Sequence, residues 1–165
     1  MKNNTGLIVM RGQPLHNGHI SLINLMLEEC SNPNIVLGSI QESRTERNPF
    51  TFEERKQMIQ NIYKDKINIY GVEDIPNNNE LWLKTVFSKI KNKIDVYYCG
   101  DNDNGKFFKN DVKIIRKLDR SKQKENLKIS GTEIRKMIKE NNKKWKLFIP
   151  KENIKLIEDY IKKLK

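Results

Sequence analysis

The chain has no alanine, and among its 165 residues only two histidines, two cysteines, five prolines and eight glycines. Each shortage excludes something. Cys30 and Cys99 lie too far apart for a zinc-ligand spacing. Two thiols cannot build a secreted disulfide scaffold, so a cytoplasmic setting is expected. No apolar run approaches the ~20 residues of a membrane span, so no membrane partner is expected. The apolar stretch Leu7 to Met10 is too short for a signal-peptide core. No cluster of carboxylates suggests a permanent metal cage, so no protein-held metal is expected.

Charge is abundant and unevenly placed. The net formal charge is +11, with residues 1–82 at −2 and residues 83–165 at +13. A basic half suggests an anionic partner such as phosphates or nucleic acid. The 25 Lys, 20 Asn and 21 Ile share A/T-rich codons, so genome bias accounts for most of the lysine excess. With 36% hydrophobic residues, a chain of this length can still bury one core, and a single domain over residues 1–165 is expected.

Apolar runs alternate with amphipathic stretches. Strands are expected at Gly6–Met10, Asn34–Ile40, Ile67–Val72, Ile94–Cys99 and Val112–Leu118. Helices are expected at Gly18–Cys30, from the Thr51–Glu54 capping box to Tyr63, and at Glu80–Lys91, Thr132–Asn141 and Lys151–Lys163. Strands separated by helices imply βαβ units. The fold expected is a doubly wound, Rossmann-like parallel sheet of five strands with helices on both faces. Its site should lie in loops beyond the strand C-termini.

The residues after the first strand carry chemistry. In Arg11-Gly12-Gln13-Pro14-Leu15-His16-Asn17-Gly18-His19, Pro14 forces a turn. Gly18 permits close backbone approach, and His16 and His19 can share a side of the helix that follows. That helix end, with its unpaired N–H groups and dipole, favours an anion. Near the C-terminus, Ser130-Gly131-Thr132 opens a helix with hydroxyls and N–H groups, and Arg135 follows one turn later with a guanidinium that can fork onto phosphate oxygens.

These two segments resemble the H-x-G-H and Ser/Thr-rich-then-Arg motifs of the nucleotidyltransferases that share a catalytic domain with class I aminoacyl-tRNA synthetases. The stretch from Gly38-Ser39-Ile40-Gln41-Glu42-Ser43 through Asn48-Pro49-Phe50-Thr51 to Glu54-Arg55 resembles the archaeal-type nicotinamide-mononucleotide adenylyltransferases. So do Asp74-Ile75 with Asn79-Glu80-Leu81-Trp82, and the closing Trp145 with Leu147 to Pro150. The likeness spans nearly the whole chain.

That resemblance implies ATP and nicotinamide mononucleotide as substrates, NAD and pyrophosphate as products, and Mg2+ arriving with ATP. It implies catalytic roles for His16, His19, Arg47 and Arg135. Arg11, Gln13, Gly18, Gly100, Asp101, Asn102, Ser130, Gly131 and Thr132 would bind ATP and its phosphates. Asp74, Ile75, Asn79 and Trp82 would bind the nicotinamide nucleotide, Trp82 by stacking. Two places depart from the family pattern. Met10-Arg11-Gly12 stands where Gly-Arg-Phe is usual, and Gly100-Asp101-Asn102-Asp103-Asn104-Gly105 is nearer a bacterial variant.

Competing assignments are another nucleotidyltransferase, with phosphopantetheine, FMN or a polyol phosphate as acceptor, and a basic nucleic-acid-binding domain. Trp82 and the Asn-Pro-Phe-Thr stretch weigh against the former. The two-motif spacing weighs against nucleic acid. A homo-oligomer is left open. The remaining candidates are expected to be structural. Trp145, Phe148 and Ile149 pack the last helix, Tyr97 and Tyr98 belong to strand four, and Cys99 is a small strand-end residue. Arg44 is expected to be a mobile loop cation, Lys106 and Lys109 part of a solvated loop, and Lys143-Lys144 a surface turn.

Overall fold

A computed structural model describes residues 4–100, 105–119 and 122–163. The elements run β1 (Thr5–Met10), α1 (Asn17–Glu29), β2 (Asn32–Leu37), α2 (Phe52–Tyr63), β3 (Asn68–Gly71), α3 (Asn79–Ser88), β4 (Val96–Gly100), β5 (Ile114–Leu118), α4 (Gly131–Lys139) and α5 (Lys151–Lys163). Short 3-10 turns cover Gly105–Phe108, Glu125–Leu127 and Lys143–Phe148. The strands form one sheet in the order β3-β2-β1-β4-β5, with every pair parallel. The fold is the Rossmann-like α/β sheet expected from the alternation of patterns.

Side-chain alternation builds two cores. Ile8, Ile35, Leu37, Val96 and Tyr98 face one way and meet α1, α2, α4 and α5 through Ile23, Met26, Met58, Ile134 and Ile157. Leu7, Val36, Tyr97 and Cys99 face the other way and meet Val86 of α3, Ile90 just beyond it and Phe108 of the turn after β4. The sheet is therefore covered on both faces, as an all-parallel sheet must be. Trp145 and Ile149 are buried in the first core with Phe148 partly buried against it, as expected of residues that pack the last helix.

Element ends differ from expectation for identifiable reasons. β2 begins at Asn32, two residues early, through Pro33. Pairing with β3 starts only at Asn34, so the missing Pro33 N–H leaves no gap on that side. β2 also ends at Leu37, because Ser39 takes a positive φ of 52° and turns the chain away. α4 stops at Lys139, and Asn141, with φ 55°, supplies the left-handed residue that follows many helices. Lys143 and Lys144 begin a 3-10 turn, with the Asn142 carboxamide accepting from the Lys144 N–H.

The order of strands fixes the site. From β1 the chain winds outward to β2 and β3, then returns to β4 and β5 on the other side. A crevice opens at such a reversal, beyond the C-terminal ends of β1 and β4. Arg11 to His19 and Gly100 leave the sheet there.

Candidate active site

The β1–α1 turn holds the two histidines face to face. His16 is the N-cap of α1, and its ring stacks on that of His19 at 3.7 Å and 28°. The His16 N–H donates to His19 Nδ1 at 3.3 Å. An acceptor at Nδ1 puts the His19 ring proton on Nε2. Gly18 makes this packing possible. A Cβ there would lie 3.0 Å from the Leu127 carbonyl oxygen and 3.1 Å from the His16 ring. Gly12 has φ +62°, a backbone state that glycine adopts without strain.

Gln13 is placed differently from a side chain that meets phosphate. Its Nε2 donates to the Phe50 carbonyl at 2.8 Å and its Oε1 accepts from the Phe50 N–H at 2.9 Å. Buried and bonded on both atoms, it ties the β1–α1 turn to the segment before α2. Its own carbonyl accepts Arg135 Nη1 at 2.8 Å, while Arg135 Nη2 donates to Thr132 Oγ1 at 3.1 Å. Gly131 again clears the way, because a Cβ would sit 3.1 Å from both Arg135 Nη1 and the Gln13 oxygen. The Ser130 hydroxyl is engaged in capping α4: it accepts the Glu133 N–H at 3.2 Å and donates to Glu133 Oε2 at 2.6 Å.

Arg11 and Arg47 both lie close enough to Arg135 for their charges to act on it. Burial first, then the positive charges of Arg11 and Arg47, pull the Arg135 guanidinium below its ordinary value, with Glu46 pulling the other way. Arg47, exposed on the loop before α2, joins Thr132 and Arg135 in lining a groove of about 1110 Å3. Phe50, Ile138 and Tyr160 line the same groove, and the Lys139–Glu46 ion pair at 2.8 Å links α4 to the loop.

Sequence reasoning missed Arg55. It is 1% exposed, and its bonds to the described residues go to backbone carbonyls. Its Nη1 donates to the Arg11 and Gly38 carbonyls at 2.8 Å each, and its Nη2 and Nε reach the Ser39 and Thr51 carbonyls at 3.3 Å. One guanidinium thus clamps the ends of β1 and β2. Burial, then Arg11, lowers its pKa, and Asp74 opposes them. Arg44 is also not the mobile cation expected. It bonds both oxygens of Glu54 at 2.9 and 2.6 Å and the Pro49 carbonyl at 3.0 Å, and it lies 5.4 Å over the Tyr160 ring.

On the other face of the sheet, Asp74, Ile75, Asn79 and Trp82 come together in a cavity of about 330 Å3. Val9, Tyr97, Phe107 and Phe108 complete it. Asn78 caps α3 by accepting the Leu81 N–H at 3.0 Å, which sets Asn79 and Trp82 on the first turn and faces Trp82 and Val86 to the sheet. Trp82 is half-buried and meets Phe108 edge-on at 6.4 Å and 73°. Asp74 is fixed by the Ser39 hydroxyl at 2.6 Å, and its N–H donates to Gln41 Oε1 at 3.1 Å. Gly100 ends β4 in open space. Asp101 and Asn102 lie outside the described residues. Phe107 and Phe108 were not singled out from the sequence; two adjacent phenylalanines on a strand-following loop were the available signal.

Arg47 and Arg135 thus stand at the rim of a largely apolar groove near the start of α4, and a separate cavity lined by aromatic rings and an amide lies on the other face of the sheet. The cytidylyltransferase-like family model matches residues 12–137, and the chain belongs to that family. Within it, the nicotinamide-nucleotide adenylyltransferase of Methanococcus vannielii is 36% identical over 154 residues, covering 91% of this chain and 86% of the relative. That of Thermococcus sibiricus is 33% identical over 167 residues, covering 97% and 84%. Among solved structures, a bifunctional NMN adenylyltransferase/ADP ribose pyrophosphatase from Francisella tularensis superposes with a TM-score of 0.69 at 23% identity. The match covers 84% of this chain and 43% of that protein, a likeness of fold.

Proposed function

We propose that the cavity holding Trp82 binds the nicotinamide ring and that the histidines of the β1–α1 turn, with Arg11, Arg47 and Arg135, hold the triphosphate. The chain is a nicotinamide-nucleotide adenylyltransferase: it joins ATP to nicotinamide mononucleotide, giving NAD and pyrophosphate. The observation that carries the residue assignment is the meeting of Asp74, Asn79 and Trp82 in one cavity, on the face of the sheet away from the stacked histidines and from Arg135, which is held by the Gln13 carbonyl and Thr132.

The mononucleotide phosphate attacks the ATP α-phosphorus in line, forming a P–O bond as the bond to the β-phosphate oxygen breaks. The attacking oxygen is already anionic, so no side-chain nucleophile is needed. The chain's task is to align the two substrates and to receive charge on the pentacoordinate phosphorus. His19, with its proton on Nε2, donates to a phosphate oxygen, and His16 holds the stacked ring in place. Arg135 delivers its guanidinium from the α4 N-terminus, steadied by Gln13 and Thr132. Arg11 and Arg47 neutralise the β- and γ-phosphates. Trp82 and Asn79 fix the acceptor ring and its carboxamide.

Transfer of this kind draws on a divalent cation bound to the triphosphate, which neutralises phosphate charge. Among the described residues no group of three or more His, Cys, Asp or Glu side chains is placed to hold a metal ion. We take the cation to be Mg2+ carried by the phosphate oxygens of ATP. Among the described residues no helix is long and apolar enough to cross a membrane, and we place this single-domain enzyme in the cytoplasm with its substrates.

The test is a panel of acceptors. With ATP and Mg2+, nicotinamide mononucleotide should yield NAD and pyrophosphate, while FMN, phosphopantetheine and a polyol phosphate should give no comparable turnover. Preferential adenylylation of any of those three would overturn the assignment.

A further inference from the structure

The 3-10 turn Gly105–Phe108 is pinned to the sheet. A Cβ on Gly105 would lie 3.2 Å from Ile115 and 3.5 Å from Cys99 Sγ, so its backbone rests against β4 and β5. Phe108 anchors the other end, 3% exposed, stacked on Tyr97 at 3.9 Å and 19°. Successive residues of a 3-10 turn point about 120° apart, so Phe107 cannot follow Phe108 into the core. Phe107 instead lines the cavity that holds Trp82 and remains 45% exposed. Among the described residues it stacks on no other ring.

A phenyl ring held at a cavity mouth by a fixed backbone leaves apolar surface in water, a cost that a bound apolar ring removes. We propose that Phe107 is a specificity-determining residue for the acceptor, the solvent-side aromatic wall that, with Trp82, holds a flat cationic ring. This rests on assigning the cavity to the nicotinamide ring. Its charge supports that ligand. Asp74 is the charged side chain among the described lining residues, and among them no lysine or arginine lines the cavity. A pyridinium therefore meets aromatic faces and a carboxylate at the cavity wall. A neutral, puckered dihydropyridine would gain less from the same walls.

The experiment compares wild type with Phe107→Ala and Phe107→Leu in the full chain. KM is measured for oxidised nicotinamide mononucleotide, for its reduced form and for ATP, and Tm on the same preparations. Phe107→Ala should raise KM for the oxidised mononucleotide by about tenfold and leave the ATP KM within about twofold. Tm should fall by no more than about 3 °C, because the ring is half-exposed. Phe107→Leu keeps apolar cover and should regain part of the affinity while losing much of the preference for the oxidised ring. A wall that merely supports the turn would not move that preference. Unchanged KM in Phe107→Ala, a parallel rise for ATP, or unchanged ring preference in Phe107→Leu overturns the inference. If wild type makes no NAD and titration detects no binding of the mononucleotide, the cavity assignment falls and this inference with it. If wild type makes NAD and the variants match it, only the role of Phe107 falls.

Discussion

Replacing Gly131 with alanine separates the two jobs of the α4 N-terminus. The added Cβ would stand 3.1 Å from Arg135 Nη1 and 3.1 Å from the Gln13 carbonyl oxygen. Backbone yields less readily than a guanidinium, so Arg135 moves, and its 2.8 Å bond to Gln13 is the contact that breaks. Stability changes little. Alanine in a helix gains roughly 0.5–1 kcal/mol over glycine, and the tight contact returns about as much. Tm should therefore stay within about 3 °C of wild type. Activity should not. A charged hydrogen bond is worth about 1.5–3 kcal/mol, so misdirecting the guanidinium should lower kcat/KM for ATP by roughly 10- to 100-fold. The assay is initial-rate NAD formation at varied ATP, with the mononucleotide saturating, beside a thermal melt. A folded Gly131→Ala enzyme with wild-type kcat/KM for ATP would show that Arg135 needs no anchoring by Gln13.

His19→Ala should cost about 3 kcal/mol of transition-state stabilisation, roughly a hundredfold in kcat, with the fold retained; near-normal turnover would remove His19 from the chemistry. Trp82→Ala should raise KM for the mononucleotide about tenfold and spare that for ATP; because the indole is half-buried, Tm should fall less than for a core tryptophan, and equal losses for both substrates would assign it to packing. Arg55→Met should destabilise by about 3–5 kcal/mol, since carbonyls at the ends of β1 and β2 lose their donor, and a variant melting with wild type would contradict the clamp. For Glu54, burial pushes the carboxyl up, but the Arg44 guanidinium and the Thr51 N–H pull harder and leave it lowered. Its contribution is then present above the unfolded value of about 4.3 and lost as pH falls through the lower folded value. Wild type should exceed Glu54→Gln by about 1 kcal/mol at pH 7, and the gap should close on acidification; a pH-independent gap would refute the pairing.

Much of this was legible before the structure, and the reasons are local. Alternating Leu7 and Ile8, or Ile35 and Val36, announce strands because a pleated chain sends neighbours to opposite faces. His16, Gly18 and His19, like Ser130 to Arg135, are close in sequence and sit at helix starts, where the geometry of one turn decides what they can do. Illegible were pairings across long separations. Nothing near Gln13 in the sequence marks Phe50 as its partner 37 residues away. Arg55 defies the usual exposure of arginine, and only the meeting of β1 and β2 supplies the carbonyls that bury it. Glycine is ambiguous in the same way. Gly18 and Gly131 suggest room for a ligand, and the structure adds that much of that room is taken by His16 and Arg135.

If Arg135 and its neighbours Arg11 and Arg47 hold phosphate as proposed, this protein's folding equilibrium becomes a function of the solution's anions. The charges of Arg11 and Arg47 act on Arg135 in the native state, and unfolding relieves that repulsion. Any polyanion that fits between them binds only the native form and draws the equilibrium toward it, by about 2.7 kcal/mol at a hundred times its dissociation constant. For a chain of this size that is roughly 5–10 °C of melting temperature. Pyrophosphate and ATP should therefore act as thermal stabilisers, and chloride should imitate them weakly through screening. A melting curve taken in phosphate buffer is then a measurement of the chain together with its occupant.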